Sequence, residues 1–478
     1  MPISTVANPQ HFTRNASAAL KDPTLQRALQ NVKPGFRRKR AAAVAKLPEF
    51  DQLRAAGRDL KNHVLEHLDF YLERFEAKVN EQGGQVHWAR DAAEANQIVL
   101  EICRAVNARR VTKGKSMISE EIGLNDFLTS HGIQPIETDL GEYIIQLRRE
   151  RPSHIIAPAI HLNREQVADA FHAHHGPYGF TERRTEPRAL MDEARQVLRR
   201  QFLSADVGIT GANFCIAETG TTVIVTNEGN GDLTQTLPRV HIALTSIEKV
   251  VPTLEDVSTF IRLLSRSATG QEISVYTTFS SGPRRANDLD GPEQFHVVLL
   301  DNGRSGMMGG EFQDMLRCIR CAACINHCPV YGAIGGHAYG WVYPGPMGAV
   351  LTPHLIGVEA AGHLPNASTF CGRCEEVCPV HIPLPKMMRH WREREFERHL
   401  SPAATRFGLG VWAFFAKRPK LYRIAANLGA WVLRRLSGRD GRIKNLALAK
   451  GWTVWRDLPA PQGRTFQQQW AARRRAQS

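Results

Sequence analysis

Apolar residues at Leu60, Val64, Leu65, Leu68, Tyr71 and Leu72 return every three or four positions, so residues 48–110 are predicted to be helical, with one buried face. Beyond residue 110 the pattern shortens. Runs rich in β-branched residues predict strands at Ile155–Ala159, Val207–Thr210, Thr222–Thr226, Val240–Thr245, Ile273–Thr277 and Phe295–Leu300. Amphipathic stretches such as Glu165–His174, Leu190–Ser204 and Leu254–Ser267 predict helices between some of them. Apolar strands alternating with amphipathic helices imply an α/β domain on a largely parallel sheet. The segment Asp301–Glu311, rich in Gly and Met, reads as a linker, and a helical tail closes the chain. Its longest apolar runs, Phe407–Ala416 and Ile424–Leu433, have about ten residues each, with Lys417, Arg418, Lys420 and Arg423 between them. A membrane-spanning helix needs roughly 20, so neither run is expected to cross a bilayer.

At 478 residues the chain is long for one core, and the pattern divides it four ways. An N-terminal extension covers residues 1–47, the α/β domain 48–300, a cysteine-rich domain 301–395 and a basic helical region 396–478. Charge sharpens the last boundary. From Pro383 to Ser478 there are 21 Lys/Arg against 5 Asp/Glu, so the tail alone accounts for the net charge of +14 and the remainder is close to neutral. Trp412, Trp431, Trp452 and Trp455 interleave with that charge. The mixture suits helices that pack on a partner or lie on a membrane surface better than a nucleic-acid patch. The run Arg37-Arg38-Lys39-Arg40 lacks interleaved aromatics and is predicted to be a solvated helix end. Nucleic acid is therefore not an expected partner. The first dozen residues lack a charged stretch followed by an apolar core, so the expected location is cytoplasmic, with a peripheral position at the inner face of the membrane as a variant.

Seven of the nine cysteines fall between Cys318 and Cys378, a clustering that argues for metal rather than disulfides in a chain without a secretory leader. Cys103 and Cys215 stand apart and are expected to be small buried hydrophobes. The first motif, Cys318-Ile-Arg-Cys321-Ala-Ala-Cys324-Ile-Asn-His-Cys328-Pro329, has the C-x2-C-x2-C-x3-C-P spacing that wraps three thiolates around one iron–sulfur cubane and sends the fourth to a neighbour. The second is Cys371-Gly-Arg-Cys374-Glu-Glu-Val-Cys378-Pro379. Structural zinc uses four ligands in two pairs and has no need of a third cysteine or of Cys-Pro. Two 4Fe–4S clusters are therefore expected, with crossed ligation. Cys318, Cys321, Cys324 and Cys378 hold the first; Cys328, Cys371 and Cys374 hold the second. The second set is one thiol short, because Ser368 stands where a fourth cysteine would be. That cluster is either a 4Fe–4S with a serine, water or partner-derived fourth ligand, or a 3Fe–4S. The 42 residues between Cys328 and Cys371 exceed a compact ferredoxin loop and favour an α-helical ferredoxin arrangement.

The α/β region carries one further candidate. Gly211–Gly231 places two loops rich in Gly, Thr and acids around a short β-branched strand. Backbone N–H groups at Glu218, Thr219, Gly220 and Thr221 offer an anion-binding loop. The competing reading is that Gly229 and Gly231 only permit a tight hairpin. Walker and dinucleotide fingerprints are absent. Glu218 and His241 are candidates to act on a substrate, but no acid–base pair has distinctive spacing, and the catalytic residues are left unassigned.

Ala217-Glu-Thr-Gly-Thr221, Glu228-Gly-Asn-Gly231, Pro238-Arg-Val-His-Ile242, Glu248-Lys-Val-Val-Pro252, both cysteine motifs and the basic tail together resemble the lactate-utilisation iron–sulfur family known as lactate utilisation protein B. The resemblance implies an α/β domain similar to the sugar-isomerase and CoA-transferase fold. It also implies participation in oxidation of L-lactate to pyruvate alongside two other proteins, one with a similar α/β domain and one with cysteine-rich CCG repeats. The leading expectation is an electron-transfer subunit of that system. The alternatives are a self-sufficient oxidoreductase of a small carboxylate and, third, an iron–sulfur regulator that binds nucleic acid.

Overall fold

Strands buried on both faces need cover on both sides, and the chain supplies it. The computed structural model describes residues 7–446, 449–453 and 456–477, without the side chains of 31–33, 450 and 451. It falls into two units that divide at Glu395 and Phe396. Among the described residues of the first unit ten strands occur: β1 (Gln85–Ala89), β2 (Arg110–Gly114), β3 (Gln134–Glu137), β4 (Val207–Thr210), β5 (Phe214–Ile216), β6 (Thr221–Thr226), β7 (Val240–Ser246), β8 (Val250–Val251), β9 (Tyr276–Ser280) and β10 (Gln294–Leu300). Six of them form one parallel sheet in the order β1-β10-β7-β4-β2-β3. Alternate side chains serve opposite faces. Ile242, Leu244, Val298 and Leu300 pack with Val99, Cys103 and Leu128 on one side. Ala243, Phe295, Val297 and Leu299 pack with Val64, Phe75 and Val79 on the other. Cys103 and Cys215 are both buried in these cores, as their isolation suggests. A second sheet, β8-β5-β6-β9, is mixed, with β5/β6 and β6/β9 antiparallel.

Several expectations change; the strand expected at Ile273–Thr277, for one, runs over Tyr276–Ser280. Residues 48–110 hold helices Phe50–Glu66, Leu68–Glu81 and Ala92–Ala105, but also the edge strand β1, whose half-solvated side chains conceal its period. Ile155–Ala159 is an irregular loop and not a strand. Pro152 and Pro158 withhold backbone donors there, and Ser153 closes the loop with its N–H and hydroxyl donating to the Pro158 carbonyl at 3.1 and 3.0 Å. The Arg37–Arg40 run is only partly solvated. Arg38 and Lys39 are exposed, whereas Arg37 Nε donates to Asn326 O at 2.7 Å and buried Arg40 donates to Val377 O at 3.0 Å.

Past β10 the chain does not simply link. Arg304, fully buried, donates to both carboxylate oxygens of Glu121 at 2.9 and 2.7 Å and lies 3.2 Å from Glu248 Oε2. Tyr343 donates to Glu121 Oε2 at 2.7 Å. This ion cluster ties the α/β sheet to the cysteine-rich region. That region is a set of short helices, among them Ala323–His327, Gly345–Ile356, Arg373–Glu376 and Leu384–Glu397. They share one apolar core with the helix Leu254–Ala268 through Val257, Phe260 and Leu263.

The second unit contains the helices Ala403–Ala416, Pro419–Arg435 and Phe466–Gln477. Phe407, Trp412, Ile424, Leu428, Trp431 and Phe466 are all exposed on it. Trp455 lies outside the described residues. No helix among the described residues is long and apolar enough to cross a membrane.

Candidate iron–sulfur and anion site

The backbone around the first motif is bent to turn its thiols inward. Arg320 and Ala322 both take left-handed conformations, at φ 60° each, which wraps residues 318–322 before the helix Ala323–His327 begins. Cys324 lies in that helix and Cys328 at its C-cap, one turn apart. Cys328 Sγ accepts from Tyr331 N–H at 3.5 Å, and Cys378 Sγ accepts from Ile382 N–H at 3.4 Å. The second motif is held from a distance by arginines. Arg54 donates to Glu376 O at 2.8 Å and to Cys378 O at 3.1 and 2.9 Å, beside the Arg40 bond to Val377.

The seven thiols line two cavities. Cys318, Cys321, Cys324 and Cys378 face one, with Met347, Val380 and Ile382 in its wall. Cys328, Cys371 and Cys374 face the other, with Tyr339, Ser368, Phe370 and Met388. Each set draws on both motifs. Burial pushes the Cys374 thiol up to about 12 and that of Cys378 up to about 11, and raises those of Cys321, Cys324 and Cys328 as well. Such thiols ionise when a cation takes them as ligands. Enclosed sulfur donors with apolar walls and N–H···S bonds fit iron–sulfur clusters. The two sets differ in exposure, since Cys371 of the three-thiol set is exposed while Cys318, Cys321, Cys324 and Cys378 are buried or half-buried. Ser368 is fixed near Cys371. Its hydroxyl accepts from Phe370 N–H at 3.2 Å, and Arg392 donates to its carbonyl at 2.9 Å while stacking over Phe370.

A larger cavity of about 450 Å³ opens at the C-terminal ends of β2, β4 and β7, where parallel sheets place their ligand sites. Lys115 reaches into its wall, paired with Asp139 and with Glu228 Oε2 at 2.9 Å. Lys249 also lines it, is 6% exposed, and has no hydrogen-bond or ion-pair partner among the described residues. Burial, followed by Arg320, lowers the Lys249 ammonium to about 8. Arg320 NH2 lies 3.4 Å from Glu248 Oε1, its NH1 is buried without a partner, and its guanidinium sits 5.0 Å from the Tyr343 ring centre. Buried Glu142 completes a corner of the cavity. Desolvation, then Glu137 and Asp139, hold its carboxyl well above the ordinary range. Arg320 and Ile155 line both this cavity and that of the four-thiol set.

The residues singled out in the Gly/Thr-rich loop lie elsewhere. Glu218 is exposed and accepts from Leu254 N–H at 3.4 Å, where the helix Leu254–Ala268 starts. Thr219 donates to Thr221 Oγ1 at 2.7 Å, and Thr221 bonds Ser281 at 2.6 Å. Gly220, at φ 67°, abuts helical backbone, where an added Cβ would lie 2.4 Å from Val79 N. None of the four lines the cavity. His241 is buried on β7 with Thr210 Oγ1 at 2.9 Å, and burial, then His296, pushes its imidazole down to about 3. It too is absent from the cavity lining. Lys115 carries no motif that would single it out, and Lys249 lies within Glu248-Lys-Val-Val-Pro252, a motif that gave its side chain no role. Arg320 does carry a signal, as a cation inside a C-x2-C pair.

The α/β sheet and the paired cysteine motifs define a two-domain iron–sulfur protein. The LUD domain model matches residues 72–300, and the 4Fe-4S dicluster domain model matches residues 314–382. The chain belongs to the lactate utilization protein B family. The protein of that name from Shouchella clausii (strain KSM-K16) is 43% identical, covering 97% of each chain. The one from Bacillus licheniformis is 41% identical over 98% of this chain and 97% of its own. An "Uncharacterized electron transport protein YkgF" of Escherichia coli (strain K12) is 41% identical over 98% of this chain and 97% of its own. A duf162 family protein from Deinococcus radiodurans, known as a crystal structure, is 17% identical; it covers 49% of this chain and 98% of its own at a TM-score of 0.28, too loose a superposition to carry argument.

Proposed function

We propose that the chain is the iron–sulfur electron-transfer subunit of an L-lactate-oxidising system, with two 4Fe–4S clusters held by crossed ligand sets. The observation that carries this reading is the sorting of seven thiols into two cavities, each fed by both motifs. Cys318, Cys321, Cys324 and Cys378 hold the first cluster. Cys328, Cys371 and Cys374 hold the second, whose fourth position falls to Ser368, to water or a partner, or stays vacant in a 3Fe–4S form. Bound clusters supply one-electron steps at potentials that the surroundings set. The chain's own part is to exclude water from the four-thiol set, donate N–H bonds to sulfur, and present the exposed Cys371 and Phe370 side to a partner. Two further lactate-utilisation proteins, one with CCG repeats and one with a similar α/β domain, are the expected partners.

The finer readings of architecture belong with this proposal. They are an α-helical ferredoxin arrangement over residues 301–395, and a likeness of the α/β domain to sugar isomerases and CoA transferases. The exposed Trp and Phe side chains of the basic second unit support attachment to an anionic membrane surface. Iron and sulfide analysis with anaerobic EPR tests the central reading: seven to eight irons per chain are expected from the two ligand sets, and zinc in their place would end it. A second reading, a self-sufficient oxidoreductase of a small carboxylate, is favoured by the cavity that shares Arg320 and Ile155 with the four-thiol set. Purified protein that reduces an artificial acceptor with L-lactate alone would establish it.

A further inference from the structure

Buried charge is unevenly balanced beside the four-thiol set. Four cations gather there, namely Lys61 at 2% exposure, Lys249 at 6%, Arg304 at 0% and Arg320 with a side chain at 12%. Two buried carboxylates, Glu121 and Glu248, face them. Arg304 is ion-paired with both acids, although its Nε makes no hydrogen bond, and Lys61 donates to the Glu248 carbonyl. Lys249 and Arg320 NH1 are left without partners. A buried ammonium costs several kcal/mol unless an anion compensates it. The negative charge of an iron–sulfur cluster accounts for part of the excess. That charge reaches Lys249 too, through Cys318 and beside Glu248, yet the Lys249 side chain lines the open cavity and not the thiol-lined one, with no hydrogen-bonded or ion-paired acid among the described residues.

From this geometry we propose that the cavity at the ends of β2, β4 and β7 is a binding site for a small organic carboxylate, held by Lys249 and Arg320 next to the four-thiol set. Arg320 stands between Cys318 and Cys321 in the chain, so the side chain that grips the anion belongs to the loop that supplies two thiols. Asp139 and Glu228 keep Lys115 occupied, which confines the positive pole to the thiol side. Ile155, Ile156, Leu264 and Ala268 also line the cavity, apolar cover for the carbon end of the ligand. A volume of about 450 Å³ exceeds what a three-carbon acid fills, so charge selects more than shape does. Longer 2-hydroxy and 2-oxo acids are therefore expected to bind along with L-lactate and pyruvate.

The ligand class rests on the proposed function, and the test separates the two. Anaerobically purified holoprotein is titrated calorimetrically with L-lactate, pyruvate and 2-oxobutyrate, and with lactamide as the uncharged control. The acids should bind and lactamide should not. Lys249→Gln should weaken acid binding at least tenfold, while Lys249→Arg retains it. In wild type, reduced protein given ¹³C-carboxyl pyruvate should show electron–nuclear coupling between the label and one cluster, a readout that needs no variant. Equal binding of lactamide, unchanged affinity in Lys249→Gln with full iron content, or absence of the coupling would overturn the site. Loss of iron from wild type would instead overturn the electron-transfer reading, since anion binding is measured separately.

Discussion

The two thiol sets sit in one small region yet differ in almost every property that governs a cluster. The four-thiol set has no exposed cysteine, touches the larger cavity through Arg320 and Ile155, and is braced through Arg320 by Glu248, Arg304 and Glu121. The three-thiol set has an exposed cysteine, a serine fixed at the missing position, and no comparable ion cluster in its wall. The difference gives the pair a direction. One end faces a cavity within the protein, the other faces solvent and whatever docks there. It also implies unequal robustness, because an iron without a thiolate is held less firmly.

Mild oxidation should expose that inequality most plainly. About one cluster per chain is expected to become a 3Fe–4S form with its characteristic EPR signal, leaving the other intact. Ser368→Cys should suppress the conversion. Equal loss of both clusters would show that the ligand sets are equivalent after all.

The brace can be removed next. Arg304→Met leaves Glu121 and Glu248 buried without their main counter-charge, and breaking such a pair costs roughly 3–5 kcal/mol. Anaerobic denaturant unfolding should show that loss, and adding Glu121→Gln should recover part of it. The four-thiol cluster should be the first to bleach in the single variant.

A smaller effect follows from His154, fully buried between Asn326 and Ile156, with Nε2 3.0 Å from Asn326 Oδ1. Burial pushes its pKa down to about 4. The unfolded chain therefore takes up the proton first, so stability is full above about pH 6.5 and falls as pH drops towards 4. By linkage the loss is about 2 kcal/mol at pH 5 for this residue. The pH dependence of the unfolding midpoint should be shallower in His154→Gln. The mildest change is expected from removing residues 396–478. Cluster spectra should persist, whereas lactate-driven electron flow and binding to anionic vesicles should fall, and in the intact chain both should weaken with salt. Unchanged flow and binding would remove the tail from the account.

Much of this was legible in the chain itself. The strands at Val207, Val240 and Phe295 announced themselves because strands buried on both faces read as continuous apolar runs. The cysteine spacing proposed two ligand sets, and the same seven thiols line two cavities. Strand β1 was hidden because half its side chains meet water, and Ile155–Ala159 misled because its apolar residues are used to line cavities. Glu218 and Thr219 drew attention through a Gly/Thr-rich loop whose glycine serves backbone contact. The roles of Lys249 and Arg304 were hidden for the opposite reason. Their importance comes from burial beside distant acids, which no local pattern records.

The crossing of the ligand sets is the central claim, and Cys378→Ser tests it most directly. Iron analysis, Mössbauer spectroscopy and the oxidative EPR assay on that variant should show the four-thiol cluster weakened or absent, with the cluster that converts to 3Fe–4S still present. If Cys378→Ser instead abolishes only the convertible cluster, each motif holds its own, and Cys318, Cys321, Cys324 and Cys328 together bind the first.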